Sequence, residues 1–417
     1  MTNKANKYLL PFILVTSLFF FWGLINNLDS VLLPHLRKAF RLSILQASLV
    51  DSSVYIGYFL MAIPAGMIMQ RWGYKTGVIT GLLLFATGSF LFIPAANTSA
   101  YAFFLGALFI IACGLAMLET AANPYVTILG PESNSTQRLN FAQSFNGLAV
   151  VVGPLIGGRF ILSGNEYTDE QLAQMTDSAR SAYLQSEVDS VKTPYLIIGS
   201  VILVVALLFF LTKLPDIKEE ETERKGFFHT LRHKHLRWAV IAQFFYVGAQ
   251  VCVTSFFVTM AKKSAGMNGK LAAEYLGWGY GIAFMSGRFI GTFIMKYIQP
   301  SKLLAIYAAI NIILSLVAVF STGMITVYAL IGIGFFMSIM FPTIFALGIK
   351  DLGHETKIGA GLIIMSIVGG AALPPLLGVI ADRTKSIQNG YIVPLICFIV
   401  VLFFGVKGYK VRQLQTH

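Results

Sequence analysis

Twelve runs of about twenty apolar residues, separated by short charged stretches, decide what this chain can fold into. They fall near residues 8–33, 44–69, 77–97, 101–129, 139–162, 193–214, 237–261, 272–295, 303–322, 324–348, 358–381 and 390–409. A run of that length crosses the hydrocarbon layer as a helix, because a helix satisfies its own backbone where no water can. The expected fold class is therefore an all-α membrane protein with 12 transmembrane helices. The composition agrees: 56% of residues are hydrophobic, 12% are charged, and the mean hydropathy is +0.71. A soluble chain carries about 25% charged residues, so there is too little charge here to cover a water-facing surface. The first run starts near Tyr8, exceeds twenty residues and lacks a small-residue cleavage site, so it reads as a helix and not as a signal peptide.

The net charge of +12 would suggest nucleic acid in a soluble protein. Here Lys and Arg cluster in the loops, and membrane topology accounts for them. With the N-terminus on one side, that side receives 19 of the 31 basic residues and the other receives 11, with Arg288 left inside helix 8. This bias predicts both termini and the central loop in the cytoplasm. Cys113, Cys252 and Cys397 lie inside apolar runs, so no disulfide or metal-ligand spacing appears. His229, His233 and His235 sit in a basic loop without cysteine partners, and no metal site is expected there. Nucleophile motifs and His–acid clusters are missing from the loops, so an enzyme is not expected. No bound cofactor is expected either.

The chain repeats itself. Gly66 near the end of helix 2 corresponds to Gly291 in helix 8, Pro124 in helix 4 to Pro342 in helix 10, and Pro154 in helix 5 to Pro375 in helix 11. The offsets are 225, 218 and 221. The polar segment Pro215–Leu236, acidic and then basic, divides the helices six and six. The predicted organisation is an N-terminal half over 1–214, a cytoplasmic linker over 215–236 and a C-terminal half over 237–417. A parallel six-helix repeat is a transporter architecture, with substrate bound between the halves near the midplane.

The residues then resemble the major facilitator superfamily. Gly66-x-x-x-Gln70-Arg71-Trp72-Gly73-Tyr74-Lys75 is similar to its signature between helices 2 and 3, with Gln70 in place of the usual acid. The resemblance implies a gating role for Gly66, Arg71, Gly73 and Lys75. A closer resemblance is to the L-fucose:proton symporter family. It rests on Glu119-Thr-Ala-Ala-Asn123-Pro124, Arg138-Leu-Asn140-Phe-Ala-Gln143-Ser-Phe-Asn146 and Phe21-Trp22-Gly23-x-x-Asn26-Asn27-Leu28. It implies a monomeric, multi-pass carrier in a bacterial inner membrane that moves a monosaccharide together with a cation. Carriers of fucose, glucose, galactose and N-acetylglucosamine belong to that family. One departure concerns helix 1, which reads Asn26-Asn27-Leu28-Asp29-Ser30, with its acid one position earlier than in the fucose carriers. That shift turns the side chain about 100° around the helix.

A charge inside a bilayer costs roughly 2.5–3.5 kcal/mol on insertion scales, and such residues are as a rule functional. Glu119 lies far from both ends of helix 4, and its repeat partner is Met337. A carboxyl there can exchange a proton during a cycle and accept hydrogen bonds from sugar hydroxyls; it can equally pair with a basic side chain for assembly. Asp29 and Asp51 lie near the same face of the membrane on neighbouring helices. A close pair would share a proton or hold sodium, while Asp51 alone can serve as a helix cap. Gln143 and Asn146 share a face of helix 5, and their amides suit vicinal hydroxyls or bind helix to helix. Asn26, Asn27 and Asn123 offer the same chemistry. Helix 7 carries Gln243, Tyr246, Gln250 and Thr254 on one face.

Proton coupling is expected through Glu119, with sodium coupling of a glucose, galactose or N-acetylglucosamine carrier as the near alternative. A drug:proton antiporter is the alternative of another class, suggested by Gly153-Pro154-x-x-Gly157. Amide-rich faces favour sugar over hydrophobic cations.

Overall fold

The computed structural model describes residues 10–24, 40, 44–160, 169–212, 214 and 227–411. Helix dominates, and no strand occurs among the described residues. Helix α1 is Leu10–Leu24. A continuous helical stretch, Ile44–Thr98, holds α2 (44–72) and α3 (74–98), which meet at Gly73 with φ 82° and ψ 170°. Only glycine adopts that combination without strain, so one residue turns the chain from one helix to the next. Then follow α4 (Tyr101–Ile128), α5 (Ser135–Phe160) and α6 (Lys192–Leu211). The second half holds α7 (Lys234–Ala265), α8 (Gly269–Ile294, through a π turn at Tyr275–Tyr280), α9 (Pro300–Phe320), α10 (Met324–Gly348), α11 (Gly353–Thr384) and α12 (Ile387–Gly408).

Eight helical stretches among the described residues are long and apolar enough to span a membrane. The first of them is α2 and α3 taken together. Adding α1, α5 and the π-interrupted α8 gives twelve helices, as the hydropathy predicts. Their outer faces are greasy: Phe210, Leu211 and Phe320 are 65, 68 and 81% exposed. A bilayer solvates such side chains where water would not.

Helix ends are satisfied by long basic side chains. Arg138 donates to the carbonyls of Val126, Thr127 and Pro131, closing the C-terminus of α4. Lys75 donates to the carbonyls of Phe210 and Thr212 at the end of α6. Four terminal carbonyls per helix lack partners of their own, and cations there also meet the negative end of the helix dipole.

The halves meet through α2 against α11 and α5 against α8. A Cβ on Gly66 would stand 2.8 Å from the Lys357 carbonyl, so the α2 and α11 backbones touch only because that position is glycine. At the same end Asn140 donates to Thr343, Gln137 donates to the Thr292 carbonyl, and the Lys357 ammonium lies 5.0 Å from the Tyr74 ring centroid. This end, which carries the α4–α5 and α10–α11 loops, is closed.

No group of three or more His, Cys, Asp or Glu placed to hold a metal ion occurs among the described residues. Instead His229 Nδ1 and His233 Nε2 lie 2.8 and 2.7 Å from the two oxygens of Glu355, and the Thr230 hydroxyl donates to the same carboxylate. His235 Nε2 donates to the Lys350 carbonyl. The linker is thereby clasped to the α10–α11 loop.

Candidate functional site

Glu119 occupies the middle of α4 and is 2% exposed. The α4 segment Gly114–Thr127 around it is buried, which is why an acid stands out there. Tyr58 of α2 donates its hydroxyl to Glu119 Oε1 at 2.6 Å. Glu119 Oε2 is buried with no hydrogen-bond partner among the described residues. One turn on, Asn123 donates its amide to the Glu119 backbone carbonyl at 2.9 Å. The oxygen of the same amide accepts from Gln143 of α5, also at 2.9 Å. Tyr58, Glu119, Asn123 and Gln143 therefore form one polar chain through three helices of the first half. Asn146, one turn beyond Gln143, is half-buried on the same helix.

Arg288 of α8 meets this chain from the second half. It is 4% exposed and carries no carboxylate partner among the described residues. Its Nε donates to the Ser338 carbonyl and its Nη1 to the Gln143 carbonyl, each at 2.8 Å, with the guanidinium 4.7 Å from the Phe284 ring centroid. Met337, the repeat partner of Glu119, is fully buried and receives a long 4.0 Å contact from the Tyr280 hydroxyl.

Part of the helix 7 face, Gln243 and Tyr246, is buried and unpartnered among the described residues. Both amide atoms of Gln243 and the hydroxyl of Tyr246 are inaccessible and make no hydrogen bond among the described residues. Leaving such groups without partners costs about 1–3 kcal/mol each. They are therefore available to a ligand or to water. Gln250 is half-buried, and Thr254 spends its hydroxyl on the Gln250 carbonyl within the helix. Trp22 is buried against Phe19, and Trp278 is 61% exposed.

Not every expected residue enters this site. Asn26, Asn27 and Asp29 lie outside the described residues; Asp51 falls in helical backbone whose side chain is likewise outside them. Of the signature loop, Gly66 forms the contact between halves and Gly73 the turn. Lys75 closes α6 within its own half, and Arg71 is exposed beside the Trp72 ring. Tyr58 and Arg288 are the additions. A tyrosine in an apolar run gives no sequence signal, whereas Arg288 is visible as a lone intramembrane charge whose partners are backbone carbonyls that no pattern encodes.

Two helical halves, a closed end and a buried polar chain meeting across the seam define a polytopic membrane carrier. The model of the Major Facilitator Superfamily matches residues 12–369, and the chain belongs to that family. It is 44% identical over 412 residues to the L-fucose-proton symporter of Escherichia coli (strain K12), covering 97% of this chain and 94% of that one. It is 39% identical over 415 residues to a glucose/galactose transporter of Brucella abortus biovar 1 (strain 9-941), covering 98% and 96%. A crystal structure of the transporter FucP in the outward conformation superposes with a TM-score of 0.89 at 44% identity, covering 96% of this chain and 98% of that one.

Proposed function

We propose that this protein is a secondary active transporter that carries a monosaccharide, L-fucose or a related hexose, into the cell in symport with protons. The observation that carries the reading is the Glu119 carboxyl. It is held by Tyr58 through one oxygen and has its other oxygen unpartnered among the described residues, while the backbone carbonyl of the same residue accepts from Asn123, whose amide oxygen accepts from Gln143. A proton delivered to the unpartnered oxygen changes what that carboxyl accepts and donates. The amides of Asn123, Gln143 and Asn146 supply the paired donors and acceptors that vicinal hydroxyls need. Gln243, Tyr246 and Gln250 contribute polar groups and an aromatic ring from the other half, and Asn26 and Asn27 complete the set from helix 1. The names of the two relatives, one a fucose–proton symporter and one a glucose/galactose transporter, support a hexose.

In this reading residues 1–214 and 237–417 move as two bodies, joined by the linker 215–236. The basic-residue count supports a cytoplasmic location for both termini and for the closed end, in a bacterial inner membrane. The protein works as a monomer and needs no bound cofactor; the proton is cargo. Asp29 and Asp51 assist the coupling.

Uptake of a panel of labelled monosaccharides into proteoliposomes tests this, with pH and sodium gradients imposed separately. The expected result is accumulation of one or a few hexoses under an inward proton gradient, unchanged when choline replaces sodium. Accumulation that follows sodium alone would overturn proton coupling. Failure of every sugar with efflux of hydrophobic cations would make the protein a drug antiporter.

A further inference from the structure

The guanidinium of Arg288 sits in the bilayer interior, where a charge is expensive, and it does not neutralise a carboxylate among the described residues. Its two acceptors explain why it is tolerated, and they are not equivalent. Ser338 lies four residues before Pro342, which has no N–H to give it. The Ser338 carbonyl is thus without its helical partner, at a place where α10 changes to a turn over 338–339, and Arg288 Nε fills it. The Gln143 carbonyl differs. It belongs to the uninterrupted ladder of α5, so the bond from Arg288 Nη1 uses its second lone pair. The first contact is an anchor within the second half. The second crosses to the first half and can be given up without leaving a helix carbonyl bare.

We propose that Arg288 is the positioning residue that holds the two halves closed at this end, and that release of its bond to Gln143 is coupled to the polar chain ending at Glu119. The coupling runs through one residue. Gln143 takes Arg288 on its backbone and gives its side chain to Asn123, which in turn holds the Glu119 carbonyl. A sugar that takes over the Gln143 amide alters the segment of α5 that Arg288 grips. The ion pair across the seam among the described residues at this end does not compete with it. Lys350 and Glu132 approach to 3.7 Å, but their side chains are 50 and 73% exposed, and exposed pairs hold little.

The proposal takes the rocking of the halves from the transporter reading, so its first test uses protein without sugar or gradient. Spin labels at Ser133→Cys and Asp351→Cys, exposed positions in the two loops of the closed end, report their separation once Cys113, Cys252 and Cys397 are replaced by serine. The native Arg288 protein is expected to give one short distance. Arg288→Lys offers a point charge without the fork and should add a longer-distance population, a roughly tenfold change in the closed-to-open ratio, or about 1.4 kcal/mol. Arg288→Gln, the second variant, should do the same if the lysine protein does not fold. In proteoliposomes the change should weaken sugar binding from the outer side several-fold, as a smaller competent fraction requires, and leave binding from the closed side unchanged or tighter. Unaltered distances in a folded variant, or equal weakening of binding on both sides, would overturn the proposal and leave Arg288 with a packing role. Failure to move any sugar would overturn the function above and leave the distance result standing.

Discussion

Glu119 and Tyr58 show how much a single buried residue decides. A carboxyl with one oxygen held at 2.6 Å and the other without a partner among the described residues is placed to take up and give back a proton. Glu119→Gln keeps the shape and fixes the group in its neutral form. It is expected to abolish accumulation driven by a proton gradient while retaining sugar exchange between equal pools, measured by counterflow. Tyr58→Phe removes the hydroxyl that donates to Oε1 and should shift the pH dependence of uptake while costing less than tenfold in maximal rate, read from uptake across a pH series. Glu119 was legible as a lone acid in an apolar run. Its orienting tyrosine was not, because hydropathy treats tyrosine as one more membrane residue. The acids of helix 1 and the outer turn of α2 remain expectations drawn from sequence.

At the scale of elements, glycines set the geometry that apolar runs leave open. Gly73 stands at φ 82° and ψ 170°, so Gly73→Ala should cost about 1–3 kcal/mol and lower the melting temperature in detergent. Gly66 tests the seam: Gly66→Val sets a branched side chain where even a Cβ lies 2.8 Å from a carbonyl, and labels on the two loops should then report a wider closed end. The linker supplies a third case. Glu355→Ala removes the acceptor shared by His229, Thr230 and His233, so hydrogen exchange over 227–233 should quicken at least tenfold. Helix number and approximate span were readable because twenty apolar residues have one stable use in a bilayer. The π turn in α8 and the clasp on Glu355 were not. Hydropathy reports length but not helical register, and the clasp joins residues more than a hundred positions apart.

The whole molecule is asymmetric about its seam. The first half holds the carboxyl and the amide chain. The second answers with Arg288 and with buried groups on α7 that have no partner among the described residues, Gln243 and Tyr246. The repeat pointed to two matched halves, and the mismatch at Glu119 against Met337 placed the polar chemistry in one of them. What the repeat could not supply was the contact between halves, since that depends on Arg288 reaching the Gln143 carbonyl and on the approach at Gly66. The central claim is that sugar and proton move together through Glu119. It is tested most directly by adding L-fucose, D-glucose or D-galactose to de-energised proteoliposomes and recording the external pH with a dye. The account predicts alkalinisation on addition of the transported sugar to native protein and none with Glu119→Gln. Sugar entry without any pH change in the native protein, or the same pH change in the glutamine variant, would contradict it.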